Sequence, residues 1–98
     1  MSIQLTCKLT TPELQRRRAT VIAELKQLLH SKEETTNGLA FAFPSEDKVL
    51  DTLIAFIKSE RLCCDFLSFR LDVVNETAQL EITGPEGTKK FLEHEVGF

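Results

Sequence analysis

Phe66-Leu67-Ser68-Phe69-Arg70-Leu71-Asp72-Val73-Val74 and Thr77-Ala78-Gln79-Leu80-Glu81-Ile82-Thr83 are two alternating runs separated by Asn75-Glu76. Successive side chains of an extended chain point to opposite faces. Leu67, Phe69, Leu71 and Val73 therefore share one face of the first run, and Ser68, Arg70 and Asp72 share the other. Ala78, Leu80 and Ile82 repeat the pattern in the second run. The two turn residues make the pair a β-hairpin. A hairpin with one apolar face needs a cover, and the flanking sequence supplies it.

Upstream, Gly38-Leu39-Ala40-Phe41-Ala42-Phe43 reads as a further strand, opened by the Asn37-Gly38 turn signal and ended by Pro44. Ser45-Glu46-Asp47 is expected to cap a helix whose apolar residues are Val49, Leu50, Leu53, Ile54, Phe56 and Ile57. It runs to Cys63-Cys64. An earlier helix starts at Thr11-Pro12-Glu13, with a capping hydroxyl, a proline suited to the first helical position and an acid at the positive end of the dipole. It is expected to reach about His30, with Leu14, Val21, Leu25, Leu28 and Leu29 as its apolar stripe and Arg18 inside that stripe. Ser31 to Asn37 reads as a polar loop. Ile3 to Leu9 alternates as a half-buried strand, placing Ile3, Leu5, Cys7 and Leu9 on its inner face. Gly84-Pro85-Glu86-Gly87 breaks the chain before a short last helix carrying Phe91 and Leu92. The expected order is β-α-β-α-β-β-α, an α+β fold of two layers with helices packed on one face of a small, mostly antiparallel sheet. At 98 residues the chain is expected to form a single domain, 1–98.

Composition narrows the function classes. The formal net charge is −3, and the one basic cluster is Arg16-Arg17-Arg18, so no nucleic-acid partner is expected. No apolar stretch approaches the roughly 20 residues that span a bilayer, so no membrane partner is expected. No basic and apolar leader opens the sequence, and the 3 cysteines are an odd number, which favours reduced thiols in a cytoplasmic protein. With neither Trp nor Tyr, the chain lacks the usual amphipathic anchors of sugar and partner sites. No Cys-x-x-Cys, P-loop, glycine-rich nucleotide fingerprint or His-Glu-x-x-His is present.

Cys63-Cys64 is the one chemically pointed feature. Adjacent thiols are poorly placed to bridge each other, but thiolates suit zinc, Cu(I) and other soft ions. Cys7 is the third ligand candidate if the first strand lies beside the end of the second helix. Against this stands plain packing, since cysteine is often buried as a small hydrophobe. The C-terminal end of a helix also opposes a thiolate. Glu60 and Arg61 precede the pair, and Glu60 is placed to orient a metal ligand or take a thiol proton. An arginine on an apolar stripe needs an acid, which makes Glu60 the expected partner of Arg18. The Gly84-to-Thr88 segment is a poor anion site, because Pro85 has no N–H to donate and Glu86 brings a negative charge.

The set Cys7, Arg16-Arg17 or Arg17-Arg18, Glu60-Arg61-Leu62-Cys63-Cys64-Asp65-Phe66 and Gly84-Pro85-Glu86-Gly87 resembles a group of small bacterial proteins of unknown function. The resemblance runs from about Cys7 to Leu92. Asp65 stands where that group often has proline. The resemblance implies the fold and singles out residues without naming a reaction.

The leading expectation is a small cytoplasmic thiol protein that binds a soft metal ion, zinc or copper, or responds to thiol reagents. Cys7, Cys63 and Cys64 are its ligands or reactive groups, with Glu60, Arg61 and Arg18 behind them. The alternative is a non-catalytic homodimeric interaction module with structural cysteines, whose open sheet face and Phe41, Phe66 or Phe98 need covering. An enzyme ranks third.

Overall fold

The computed structural model describes residues 12–97. The elements are α1 (Pro12–Leu28), β1 (Ser31–Thr35), β2 (Gly38–Pro44), α2 (Asp47–Cys63), β3 (Ser68–Val74), β4 (Thr77–Thr83) and α3 (Thr88–Glu95). The four strands form one antiparallel sheet in the order β1-β2-β4-β3. This is the expected α+β arrangement of helices and antiparallel sheet. The strand expected over Ile3 to Leu9 lies outside the described residues, and Cys7 with it.

Register explains why one face is apolar. Phe69, Ile82 and Leu39 stand side by side across three strands, as do Leu71, Leu80 and Phe41. These rows meet Leu25 of α1, Val49, Leu53 and Phe56 of α2, and Phe91 and Leu92 of α3 in one core. Burying each of the larger side chains contributes about 1.5–3 kcal/mol.

Three expectations need correction. Ser31 to Asn37 is not a loop: Ser31–Thr35 is an edge strand, paired from Ser31 with Ala42 to Thr35 with Gly38. The ladder extends to His30, whose N–H donates to the Ala42 carbonyl at 2.8 Å. Such a strand is exposed on both faces and carries no alternation for a sequence pattern to register. Ser45 does not cap α2. The N-cap is Glu46, with no side-chain cap hydrogen bond. The Ser45 hydroxyl instead donates to the Asn75 carbonyl at 2.9 Å, and the Ser45 N–H donates to Glu76 O. The start of α2 is thus pinned to the β3–β4 turn.

The third correction concerns the open sheet face. Phe41 is buried under the helices rather than on the open face. Phe66 is half-buried against the ring of Phe91, with centroids 5.0 Å apart and planes at 74°. Phe98 lies outside the described residues. The rows of the opposite face instead carry Glu33, Ala40, Glu81 and Arg70, or Ala42, Gln79 and Asp72. A face of that composition is at home in water, so it does not call for an apolar partner.

Candidate functional site

Helix α2 buries Val49, Leu53, Phe56 and Glu60 at spacings of four, three and four, followed by Cys64 four residues later. The spacing is that of one helical face, so Glu60 occupies a core position by geometry. Its side chain is 1% exposed and Cys64 is 0% exposed. A carboxylate so placed must be paired.

Arg18 supplies the pairing. It sits on the α1 stripe and its side chain is 13% exposed. Its Nε donates to Glu60 Oε1, and its Nη2 to Oε2 at 3.4 Å. The Cys64 thiol donates to the same Oε2 at 3.6 Å. Arg18, Glu60 and Cys64 therefore form one buried chain of polar contacts between α1 and the end of α2.

Local structure fixes the thiol. The Cys64 N–H donates to Glu60 O at 2.6 Å, the last helical contact of α2. The Cys64 carbonyl accepts from the Leu67 N–H at 3.1 Å, closing the turn into β3. Backbone bonds on both sides hold Cys64, and its side chain lies in the core against Glu60. The thiol needs its proton to make this contact. A thiolate there would set a second negative charge beside the carboxylate, with Arg18 the balancing cation.

The Arg18–Glu60 pair expected from the sequence is present. Cys63 ends α2, and its side chain is not among those described. Cys7 lies outside the described residues. Arg61 is exposed and stands apart from the Arg18–Glu60–Cys64 contacts. His30 is exposed in the link between α1 and β1, and His94 is exposed near the end of α3. Among the described residues, no group of three His, Cys, Asp or Glu side chains is close enough to hold a metal ion.

One feature went unread in the sequence. A groove of about 550 Å³ runs between α1 and α2, and its apolar lining is Val21, Ile54, Ala55 and Leu62. Arg17, Asp51 and Lys58 rim it, and Arg18 links it to the buried chain. Its signal was present in the spacing of Ile54, Lys58 and Leu62, an i, i+4, i+8 stripe on the side of α2 away from the core. Among the described residues, no helix is long and apolar enough to cross a membrane. No family model, curated protein or solved structure matches the chain.

Proposed function

We propose that this is a small cytoplasmic thiol protein that takes up a soft metal ion, zinc or Cu(I), or reacts with thiol reagents, through Cys7, Cys63 and Cys64. The observation that carries the reading is the contact of the Cys64 thiol with a carboxylate that is itself held by arginine. A thiol must lose its proton to ligate a metal. Glu60 stands where that proton can go, and Arg18 keeps the carboxylate aimed at the sulfur. A core cysteine that only fills space needs neither.

Topology supports the participation of Cys7. Arg18, in the second turn of α1, meets Glu60, in the last turn of α2. The start of α1 therefore lies toward the Cys63-Cys64 end of α2. Cys7 stands five positions before Pro12, a reach of up to about 17 Å in an extended chain. On the motif alone, we also propose kinship with the uncharacterised bacterial group that shares Glu-Arg-x-Cys-Cys-x-Phe.

Titration of reduced protein with Zn(II) or Cu(I), read by native mass spectrometry, tests the function. The expected species carries one metal per chain and disappears in Cys64→Ser and Cys7→Ser. Protein that stays metal-free at stoichiometric metal, with all three thiols slow toward a maleimide, would contradict it.

A second reading, a homodimeric interaction module, is supported by one observation. Among the described residues, strand β3 is an outer strand of the sheet, and it exposes Val73 and Val74.

A further inference from the structure

Among the described residues, the sheet ends in two outer strands, β1 and β3. An outer strand presents a row of backbone N–H and C=O groups that can pair with another chain, and proteins commonly blunt such edges with charge. Strand β1 is blunted in this way, with Lys32, Glu33 and Glu34 in five residues. Strand β3 is not. Its two charges, Arg70 and Asp72, are of opposite sign and are set among Phe69, Leu71, Val73 and Val74. Val73 and Val74 are 50% and 64% exposed. Phe69 and Leu71 are only half-buried although both lie on the helix side. The helices therefore leave the apolar side of this edge partly uncovered.

The order of residues in β3 makes the edge complementary to itself. We propose that two copies of the chain pair antiparallel through β3 about a two-fold axis at Leu71; this deepens the homodimer reading and rests on it. In that register Leu71 faces Leu71 of the second copy, and Phe69 faces Val73. Arg70 faces Asp72, and the two-fold repeats each pair. Residues opposite one another share a face, so the apolar pairs fall on the helix side and both charge pairs on the open side. Within one copy Arg70 Nε already contacts Asp72 Oδ2 at 3.2 Å, with side chains 73% and 51% exposed. The second copy brings each of these charges an opposite neighbour across the strand as well. The same operation on β1, centred on Glu33, would pair Lys32 with Glu34 but set Glu33 against Glu33, and it brings no apolar pairs together, so the sequence favours the β3 edge. The two four-stranded sheets become one continuous sheet, with the helices of both copies on the same side.

A charge exchange in the full chain tests this, read by size-exclusion chromatography with light scattering. Wild type is expected at twice the 11.1 kDa chain mass. Arg70→Asp or Asp72→Arg alone sets like charges across the axis twice. Each is expected to raise the dimer dissociation constant by roughly tenfold or more. The double exchange restores opposite charges and is expected to restore the dimer. Circular dichroism checks the fold, and Arg70→Glu with Asp72→Lys repeats the exchange if a first variant misfolds. A wild type that is monomeric at high concentration overturns both the surface and the homodimer reading. A dimer that the single reversals leave intact overturns the surface alone. A double exchange that stays monomeric overturns the register.

Discussion

At the scale of single residues, Glu60 decides most. It occupies a core position on α2 and survives there because Arg18 and Cys64 both donate to it. Removing one partner of a buried pair strands the other. Glu60→Ala is expected to lower stability by about 3–5 kcal/mol, measured by urea unfolding. Replacing both charges by apolar residues of similar size, Arg18→Met with Glu60→Leu, is expected to recover most of that loss. If the double variant is as unstable as Glu60→Ala, the charges do more than fill the core. The sequence carried half of this: an arginine on an apolar stripe demanded an acid, and Glu60 was in reach. A role for Glu60 beside the thiols was legible too, but not that Cys64 is the one in contact. That depends on how the backbone bonds to Glu60 and Leu67 hold Cys64.

At the scale of elements, the hairpins were legible where one face is buried and illegible where neither is. Strands β2, β3 and β4 alternate because the core demands it. Strand β1 pairs with β2 through its backbone and carries no buried apolar face, so its five residues look like a loop. A close backbone approach lies at the start of β2, against β4. A Cβ at Gly38 would come within 1.8 Å of the Ile82 carbonyl oxygen. Gly38→Ala is expected to cost at least the upper end of the roughly 1–3 kcal/mol typical of overpacking, read as a lowered midpoint in urea. A variant of wild-type stability would show that β2 and β4 stand farther apart. The β3–β4 turn makes a milder test. Asn75 holds a left-handed φ of 55°, which a β-branched residue resists. Asn75→Val is expected to lose about 1–2 kcal/mol and Asn75→Gly little, compared by thermal melting.

At the scale of the whole molecule, α1 lies against α2 so that the start of one meets the end of the other. This arrangement sets the start of α1 toward the Cys63-Cys64 end of α2 and leaves the groove between the helices open. The outer edge at β3 gives the molecule a second surface, independent of the thiols. Pairing there makes folding depend on concentration. The melting temperature of wild type is expected to rise with protein concentration, while that of Arg70→Asp stays constant. Equal behaviour of the two would count against pairing at that edge. The residue patterns carry traces of both surfaces, the Ile54, Lys58 and Leu62 stripe and the order of residues in β3, but their place at a groove or an edge depends on which elements become neighbours.

The most direct measurement for the thiol reading is site-resolved maleimide labelling of reduced protein, with and without one equivalent of Zn(II) or Cu(I), analysed by peptide mass spectrometry. Cys64 is expected to label slowly in both conditions, being buried. Metal is expected to slow Cys7 and Cys63 together, because a shared ion takes both sulfurs at once. Labelling of Cys7 and Cys63 at the same rates with and without metal would contradict the thiol site and leave Cys64 a core residue.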